Sequence, residues 1–248
     1  MTETHLKVSQ THHDFDEEAA TQIMKSLRRF ANRDALIGLS GGKTPLPVYE
    51  KLAAAMKISD EFAGFYFIQV DERNVANNSP RSNQHEILKS MFGQKGLPAR
   101  HFCMIKPGNH DFAEQIKHVM PGLPAELQPP RPIDLLILGV GQDGHTASLF
   151  PDEKWQKAES KTGYQIFSPK SQPEQRISLT LERILQARHL VFLVSGTDKN
   201  DALTRALIKK DRSIPAGLIV AERPTEWILA PETVQNWPGS ADFFATEM

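Results

Sequence analysis

The chain is poor in thiols: one cysteine, Cys103, stands among 248 residues. A lone thiol has no internal disulfide partner, so the fold must rest on its apolar core, and a reducing compartment suits it. Long apolar runs are missing as well. No stretch approaches the ~18 residues of a membrane span, and Met1 to His5 show no basic stretch leading into an apolar one. The expectation is a soluble cytoplasmic protein that engages no membrane. Neither sign of charge dominates, because 29 basic and 30 acidic residues are well mixed. A nucleic-acid partner is therefore not expected, and any anion has to be held by a local site. His5, His12 and His13 cluster near the start but lack a defined set of ligand partners and sit in what reads as a fraying terminus, so no metal or cofactor is expected.

What is present is a repeated strand, loop and helix grammar. Its centre is the apolar run 133–138, which feeds straight into Gly139-Val140-Gly141-Gln142-Asp143-Gly144-His145 and on to Pro151. Such a run entering glycines reads as a buried parallel strand ending in a tight turn. Ligands in open α/β sheets sit outside the carboxyl ends of strands, which makes Asp143 and His145 candidates for chemistry. A bland alternative is a structural histidine satisfied within its turn.

Three further strand ends carry reactive groups. Ala35 to Ser40 reads as a strand followed by Gly41, Gly42, Lys43 and Thr44, with Thr44 as N-cap and Pro45 as first residue of a helix. Backbone N–H groups of that turn and the helix dipole make an anion site suited to phosphate, or else only a tight turn. The 41–45 loop has neither Walker A nor dinucleotide-binding spacing. Phe65 to Val70 runs into Asp71, Glu72 and Arg73, read as a charged sheet rim that pairs internally or with a ligand, followed by a polar loop, 74–83. His189 to Val194 leads to Lys199 near a helix start, where a bound anion would relieve the unfavourable dipole. Lys199 as a solvated helix residue is the alternative, and for Arg176 it is a strand-edge ion pair.

Elsewhere, apolar spacing predicts helices over 14–31, 46–56 and 84–92, a helix marked by Phe112, Ile116 and Val119, and another over 181–187. Asp14 is the expected N-cap of the first, and Thr197 or Asp198 caps the helix after 199. The proline-rich stretch 121–132 reads as a surface crossover. The whole, 1–248, is expected to be a single α/β domain, Rossmann-like, with a mostly parallel sheet flanked by helices on both faces. No Gly-x-Ser-x-Gly elbow is read and Cys103 lies mid-strand with no basic neighbour, so covalent serine or cysteine catalysis is not expected. Water activated by His145 is the simplest hydrolytic scheme.

Ser40-Gly41-Gly42-Lys43-Thr44-Pro45, Asp71-Glu72-Arg73-Asn74-Val75 with Ser82-Asn83, the 139–151 stretch and Arg176-Ile177-Ser178-Leu179-Thr180 together resemble the 6-phosphogluconolactonase family. The match runs in the family's order from about residue 15 to 231. Glucosamine-6-phosphate deaminases belong to the same superfamily, but typically carry Asp-Glu-Tyr where this chain has Arg73, and a different sequence after the histidine. The resemblance implies hydrolysis of 6-phospho-D-glucono-1,5-lactone in the oxidative pentose phosphate pathway, without a required metal, by a monomer or weak homo-oligomer. It implies that His145 is the catalytic acid/base, that Arg73 orients or polarises the lactone, and that Lys199 and Arg176 contact phosphate or sugar oxygens. Asp143 would support the histidine or touch the ring, and Gly41, Gly42, Lys43, Thr44 and Asp71 would line the binding site. Lys43 departs from the family's more usual serine. An amino-sugar phosphate deaminase, which needs a base at Asp71, and a silent sugar-phosphate sensor are the other readings.

Overall fold

A computed structural model describes residues 3–11, 14–76, 78–92, 96–105, 123–156, 160, 162–235 and 237. Seven strands form one parallel sheet: β1 (Thr4–Val8), β2 (Ala35–Leu39), β3 (Phe65–Gln69), β5 (Phe102–Cys103), β6 (Leu135–Leu138), β9 (His189–Val194) and β10 (Thr225–Leu229). Their order across the sheet is β1-β10-β9-β6-β2-β3-β5. β2 and β6 lie side by side in register, Ile37 against Leu135 and Leu39 against Ile137. From β2 the chain builds outward through β3 to β5, then returns to add β6, β9 and β10 on the other side. The reversal between β2 and β6 opens a crevice at their carboxyl ends.

Both faces of the sheet are buried, which is why its strands are almost continuously apolar rather than alternating. Successive residues point to opposite faces. Ile37, Leu39, Leu135, Ile137, Val191 and Leu193 pack under α1 (Phe15–Leu27), α2 (Pro45–Lys57) and α3 (Asn83–Met91). On the other face Leu36, Leu136, Leu138, Phe192 and Trp227 meet α4 (Leu181–Leu185), α5 (Asn200–Leu203, continuing as a wider turn to Ile208) and α6 (Pro215–Glu222). A short helix, α7 (Pro231–Val234), follows β10. A small antiparallel sheet in the order β4-β8-β7 joins that second face, from β4 (Asp71–Arg73), β7 (Tyr164–Phe167) and β8 (Arg176–Leu179).

The α/β, mostly parallel architecture expected from the sequence is present, and several local expectations are corrected. Residues 4–8 are not a fraying end: β1 pairs along its whole length with β10, an edge position that a five-residue, half-polar strand satisfies without a strong apolar signature. Asp71 and Glu72 do find internal partners, but inside the fold instead of at the sheet rim, since β4 turns inward and both are buried. Asp14 and Thr44 begin their helices without a side-chain cap, and neither Thr197 nor Asp198 caps α5. α6 is apolar on all sides and therefore lacks the helical periodicity that exposes a surface helix. The expected helix around Phe112 to Val119, and His12 and His13, lie outside the described residues. Among the described residues no helix is long and apolar enough to cross a membrane.

At the opposite rim from the crevice, Asp134 is fully buried beside β6. Its Oδ2 accepts from the Leu36 backbone N–H at 2.9 Å and from Arg131 Nη2 at 3.0 Å, and its Oδ1 lies 3.4 Å from Arg188 Nε. The carboxylate thus clamps β2 to the loops entering β6 and β9. Asp134→Ala leaves a buried N–H and two guanidinium groups without their anion, which costs about 3–5 kcal/mol. Urea denaturation is expected to show that loss, and a midpoint within about 1 kcal/mol of the native chain's stability would refute the clamp.

Candidate active site

The crevice holds a cavity of about 240 Å³ lined by Ser40 to Pro45, Asp71, Arg73, Asn83, Gly139 to Gly141, His145, Ala147, Leu193 to Ser195 and Lys199. Four strand ends meet there because β3, β2, β6 and β9 are consecutive neighbours. Of the residues picked out from the sequence, Gly41, Gly42, Lys43, Thr44, Asp71, Arg73, His145 and Lys199 share this cavity. Asp143 and Arg176 do not line it.

Asp143 reaches it through His145. The imidazole Nδ1 lies 2.6 Å from Asp143 Oδ1, and the His145 backbone N–H donates to the same oxygen at 3.1 Å. A carboxylate only accepts, so Nδ1 carries a proton and donates it to Asp143. Burial alone would raise the Asp143 carboxyl, but the hydrogen bonds and charge of His145 outweigh it and hold the group below the ordinary aspartate value. The opposite ring face packs on Phe150, centroids 4.3 Å apart. The glycines are sterically required here: a Cβ on Gly141 would stand 2.0 Å from His145 Nδ1, and Gly144 has φ +84° with Ile214 2.5 Å from where its Cβ would be. The turn is closed by Gly141 N–H to the His145 carbonyl at 2.8 Å and anchored by Ala216 N–H, from the first turn of α6, to the Gly144 carbonyl at 3.1 Å.

Arg73 is aimed by a buried carboxylate. Glu72 Oε1 accepts backbone N–H groups from Arg73 at 2.7 Å and Asn83 at 2.9 Å. Its Oε2 accepts from Gln84 N–H at 2.7 Å, Gln69 Nε2 at 2.9 Å and Ser82 Oγ at 3.2 Å. An anion at the start of α3 is favoured by the helix dipole. Burial pushes the Glu72 carboxyl up, the backbone donors of Arg73, Gln84 and Asn83 pull it down, and the nearby Asp71 charge adds to the rise. The Arg73 Nη1 donates to the Arg81 carbonyl at 2.9 Å, while its Nε is buried with no protein partner among the described residues. Asp71 is held by Ser148 Oγ at 2.6 Å and Asn83 Nδ2 at 3.2 Å.

Lys199 sits at the end of the turn Thr197–Lys199, its Nζ 3.6 Å from Asp198 Oδ2, mostly covered. Thr44 Oγ1 and Ser195 Oγ are 2.9 Å apart, so the threonine ties the glycine loop to the end of β9 instead of capping α2. Gly42, at φ +96°, has open space where its Cβ would be, and the backbone of the loop borders the cavity directly. Arg176 is opposite Arg73 in the β4–β8 pairing yet buried, with Nη2 donating to Gln172 Oε1 at 2.8 Å and its guanidinium 6.0 Å from the Phe150 ring centroid. Its contacts are with the wall, because β8 lies one strand deeper than the loops that form the rim.

Sequence reasoning missed Ser195 and the structural weight of Asn83 and Ser148. The reading that no Gly-x-Ser-x-Gly elbow is present is corrected: Gly38-Leu39-Ser40-Gly41-Gly42 has that spacing on a strand-to-helix turn. The Ser40 hydroxyl has no hydrogen-bond partner among the described residues, so no base takes its proton. Burial pushes the Cys103 thiol up to about 11, which leaves it a thiol at neutral pH. Among the described residues no cluster of His, Cys, Asp and Glu has the arrangement of a metal site.

Comparison with known proteins gives a consistent set of likenesses. Residues 10–228 match the family model described as glucosamine-6-phosphate isomerases/6-phosphogluconolactonase. A 6-phosphogluconolactonase of Mesorhizobium japonicum is 34% identical over 204 residues, covering 79% of this chain and 82% of the relative. The crystal structure of a 6-phosphogluconolactonase from Shewanella baltica superposes with a TM-score of 0.74 at 24% identity, over 92% of this chain and 98% of the other. A monomeric glucosamine-6-phosphate deaminase has the same fold, with a TM-score of 0.73 at 17% identity over 93% of this chain and 99% of that one.

The Glu72 network generates a test of the site's scaffold. Glu72→Gln puts an amide NH₂ against donors on one side of the group, orphaning at least one buried N–H at a cost of about 1–3 kcal/mol. The expected result is that loss in chemical denaturation together with a fall in turnover, as Arg73 loses its anchor. Unchanged stability and turnover would show that the carboxylate does not organise Arg73.

Proposed function

The chain belongs to the glucosamine-6-phosphate isomerase/6-phosphogluconolactonase family, and on that basis we propose that it hydrolyses 6-phospho-D-glucono-1,5-lactone to 6-phospho-D-gluconate in the oxidative pentose phosphate pathway. The observation that carries this reading is the placement of His145, Arg73 and Lys199 around one cavity whose remaining wall is the glycine loop. A phosphorylated lactone needs these elements: a base for water, a cation for the oxyanion and a cradle for phosphate. A single-domain cytoplasmic enzyme, monomeric or weakly associated, is part of the same reading.

In this scheme His145 Nε2 takes a proton from water as its oxygen bonds to the lactone carbonyl carbon. The carbonyl π electrons move onto oxygen, and the Arg73 guanidinium stabilises the resulting oxyanion, an effect worth on the order of 10² or more. The tetrahedral intermediate collapses by breaking the bond from carbon to the ring oxygen, which takes the proton back from the His145 imidazolium. Asp143 holds the Nδ1–H throughout and offsets the charge that His145 gains. Lys199 and the backbone N–H groups of residues 41–44 hold the phosphate, where the dipole of α2 adds to the attraction. Lys43 adds a further charge beside that loop. Arg176 acts through the wall, packing near Phe150, on which the His145 ring rests. Asp71, with its two oxygens taken by Ser148 and Asn83, is poorly placed to abstract a carbon-bound proton as an aldose–ketose deaminase requires.

The first test is the disappearance of freshly generated lactone above its spontaneous hydrolysis, with glucosamine 6-phosphate as parallel substrate. His145→Ala is expected to lower turnover by roughly 10²–10⁴. Asp143→Asn should cost about as much, because an amide NH₂ facing Nδ1 favours the tautomer whose Nε2 carries the proton. Native protein that releases ammonia from the amino sugar and leaves the lactone alone would reverse the proposal. A second prediction separates the cations: Arg73→Ala chiefly lowers kcat, whereas Lys199→Ala chiefly raises KM. Steady-state kinetics with the opposite split would exchange their roles.

A further inference from the structure

The molecule has a second polar cavity at the other end of the sheet. It measures about 400 Å³, and Lys7, Lys25, Arg29, Arg188, Arg223 and Glu226 stand in its wall. His5, Thr225 and His189 stand at or next to the starts of β1, β10 and β9, whereas Ser195 and Lys199 follow the end of β9. The strand between them, at ~3.3 Å per residue, keeps the two cavities about 20 Å apart.

The charges of this lining do not balance. Lys7, Lys25, Arg29, Arg188 and Arg223 bring five positive charges to the wall, and Glu226 is its one carboxylate. That carboxylate is already engaged, by His189 Nε2 at 3.0 Å and Ser26 Oγ at 3.3 Å, and the Lys7 charge also acts on it. Arg188 has the buried Asp134 at 3.4 Å outside the wall. Arg223 donates one Nη2 hydrogen to the Ala187 carbonyl at 2.8 Å, a partner without charge. Lys25 and Arg29 have no polar partner among the described residues. Counting Asp134 as well, three positive charges are unmatched in a chain whose formal net charge is −1.

A helix C-terminus favours cations, which accounts for Lys25 and Arg29 at the end of α1 but not for Arg188, Arg223 and Lys7 arriving from three other segments. Like charges lining one concavity repel one another, an anion entering it relieves that repulsion, and because Lys7, Lys25, Arg29 and Arg188 are exposed the attraction is sensitive to salt. Cations come from α1 and the turn after it, from β1 and from the segments that lead into β9 and β10, and the three arginines among them present planar forks suited to phosphoryl oxygens. The geometry points to a second, non-catalytic anion site here, whose ligand is a small molecule bearing two phosphoryl groups. β9 connects it directly to the end that carries Ser195 and Lys199.

Calorimetric titration of the full chain with inorganic pyrophosphate at ~0.1 M salt tests this. Beside any heat from the phosphate cradle of the catalytic cavity, a binding event is expected that is weakened at least about tenfold in Lys25→Gln/Arg29→Gln and persists within about twofold in Arg73→Ala/Lys199→Ala, where the cradle's heat is lost. Glutamine keeps the helix propensity of α1, and unchanged circular dichroism verifies that the variant folds. Three results would overturn the proposal: no binding heat with native protein, binding lost only in the Arg73/Lys199 variant, or orthophosphate bound as tightly as pyrophosphate. None depends on which reaction the catalytic cavity performs.

Discussion

A single buried carboxylate, that of Glu72, holds the crevice end of the molecule in shape. Its two oxygens accept five hydrogen bonds, three of them from backbone N–H groups. Together these bonds join the end of β3, the whole of β4, the close of the 74–83 loop and the first turn of α3. A charge this deeply buried is tolerable only when it is fully solvated by protein donors. The donors come from segments spread over positions 69–84, so the requirement fixes the relative placement of all of them. Arg73 follows directly in the chain and inherits a set direction. Asn83, which starts α3, is turned so that its amide reaches the Asp71 carbonyl oxygen at 3.0 Å and leaves its own Oδ1 in the space that a Cβ on Gly41 would fill.

The histidine turn is built by an opposite device, the removal of atoms. Gly141 lets the imidazole lie against the backbone, and Gly144 supplies a backbone conformation that side chains rarely adopt. Ala147, at φ 52°, takes on a strained conformation that its surroundings must enforce. Ser148, just beyond it, spans from the turn to Asp71, so the histidine-bearing loop and the arginine-bearing strand are tied into one network. The outcome is a rim on which the cations Arg73 and Lys199, the His145 imidazole and the backbone of the glycine loop border one volume. Preorganised charge of this kind is what a developing oxyanion and a phosphate both require.

Local patterning revealed most of this. The strands 35–39, 65–69, 135–138 and 189–194 were legible because each is buried on both faces and reads as a predominantly apolar run. The helices α1, α2 and α3 were legible because each buries one face only. β1 escaped because an edge strand with polar alternation has little to distinguish it, and α6 escaped because a helix apolar all round has no period. The candidate groups Gly41 to Thr44, Arg73, His145 and Lys199 were recognisable as reactive types at strand ends. That Arg176 would be buried against Gln172 and Phe150 was not, since the direction of a strand residue depends on what covers the sheet.

Residue order alone therefore determined the inventory of the site and the grammar of strand, glycine turn and helix that delivers it, since both depend on neighbours a few positions apart. Tertiary structure decided which strand ends meet. The pairing of β2 with β6, whose partners lie 98 positions apart at Leu36 and Asp134, brings the glycine loop beside the histidine turn. No local pattern encodes that choice. It follows from burying two apolar sheet faces at once and from giving Glu72, Asp71 and Asp134 partners for their charges.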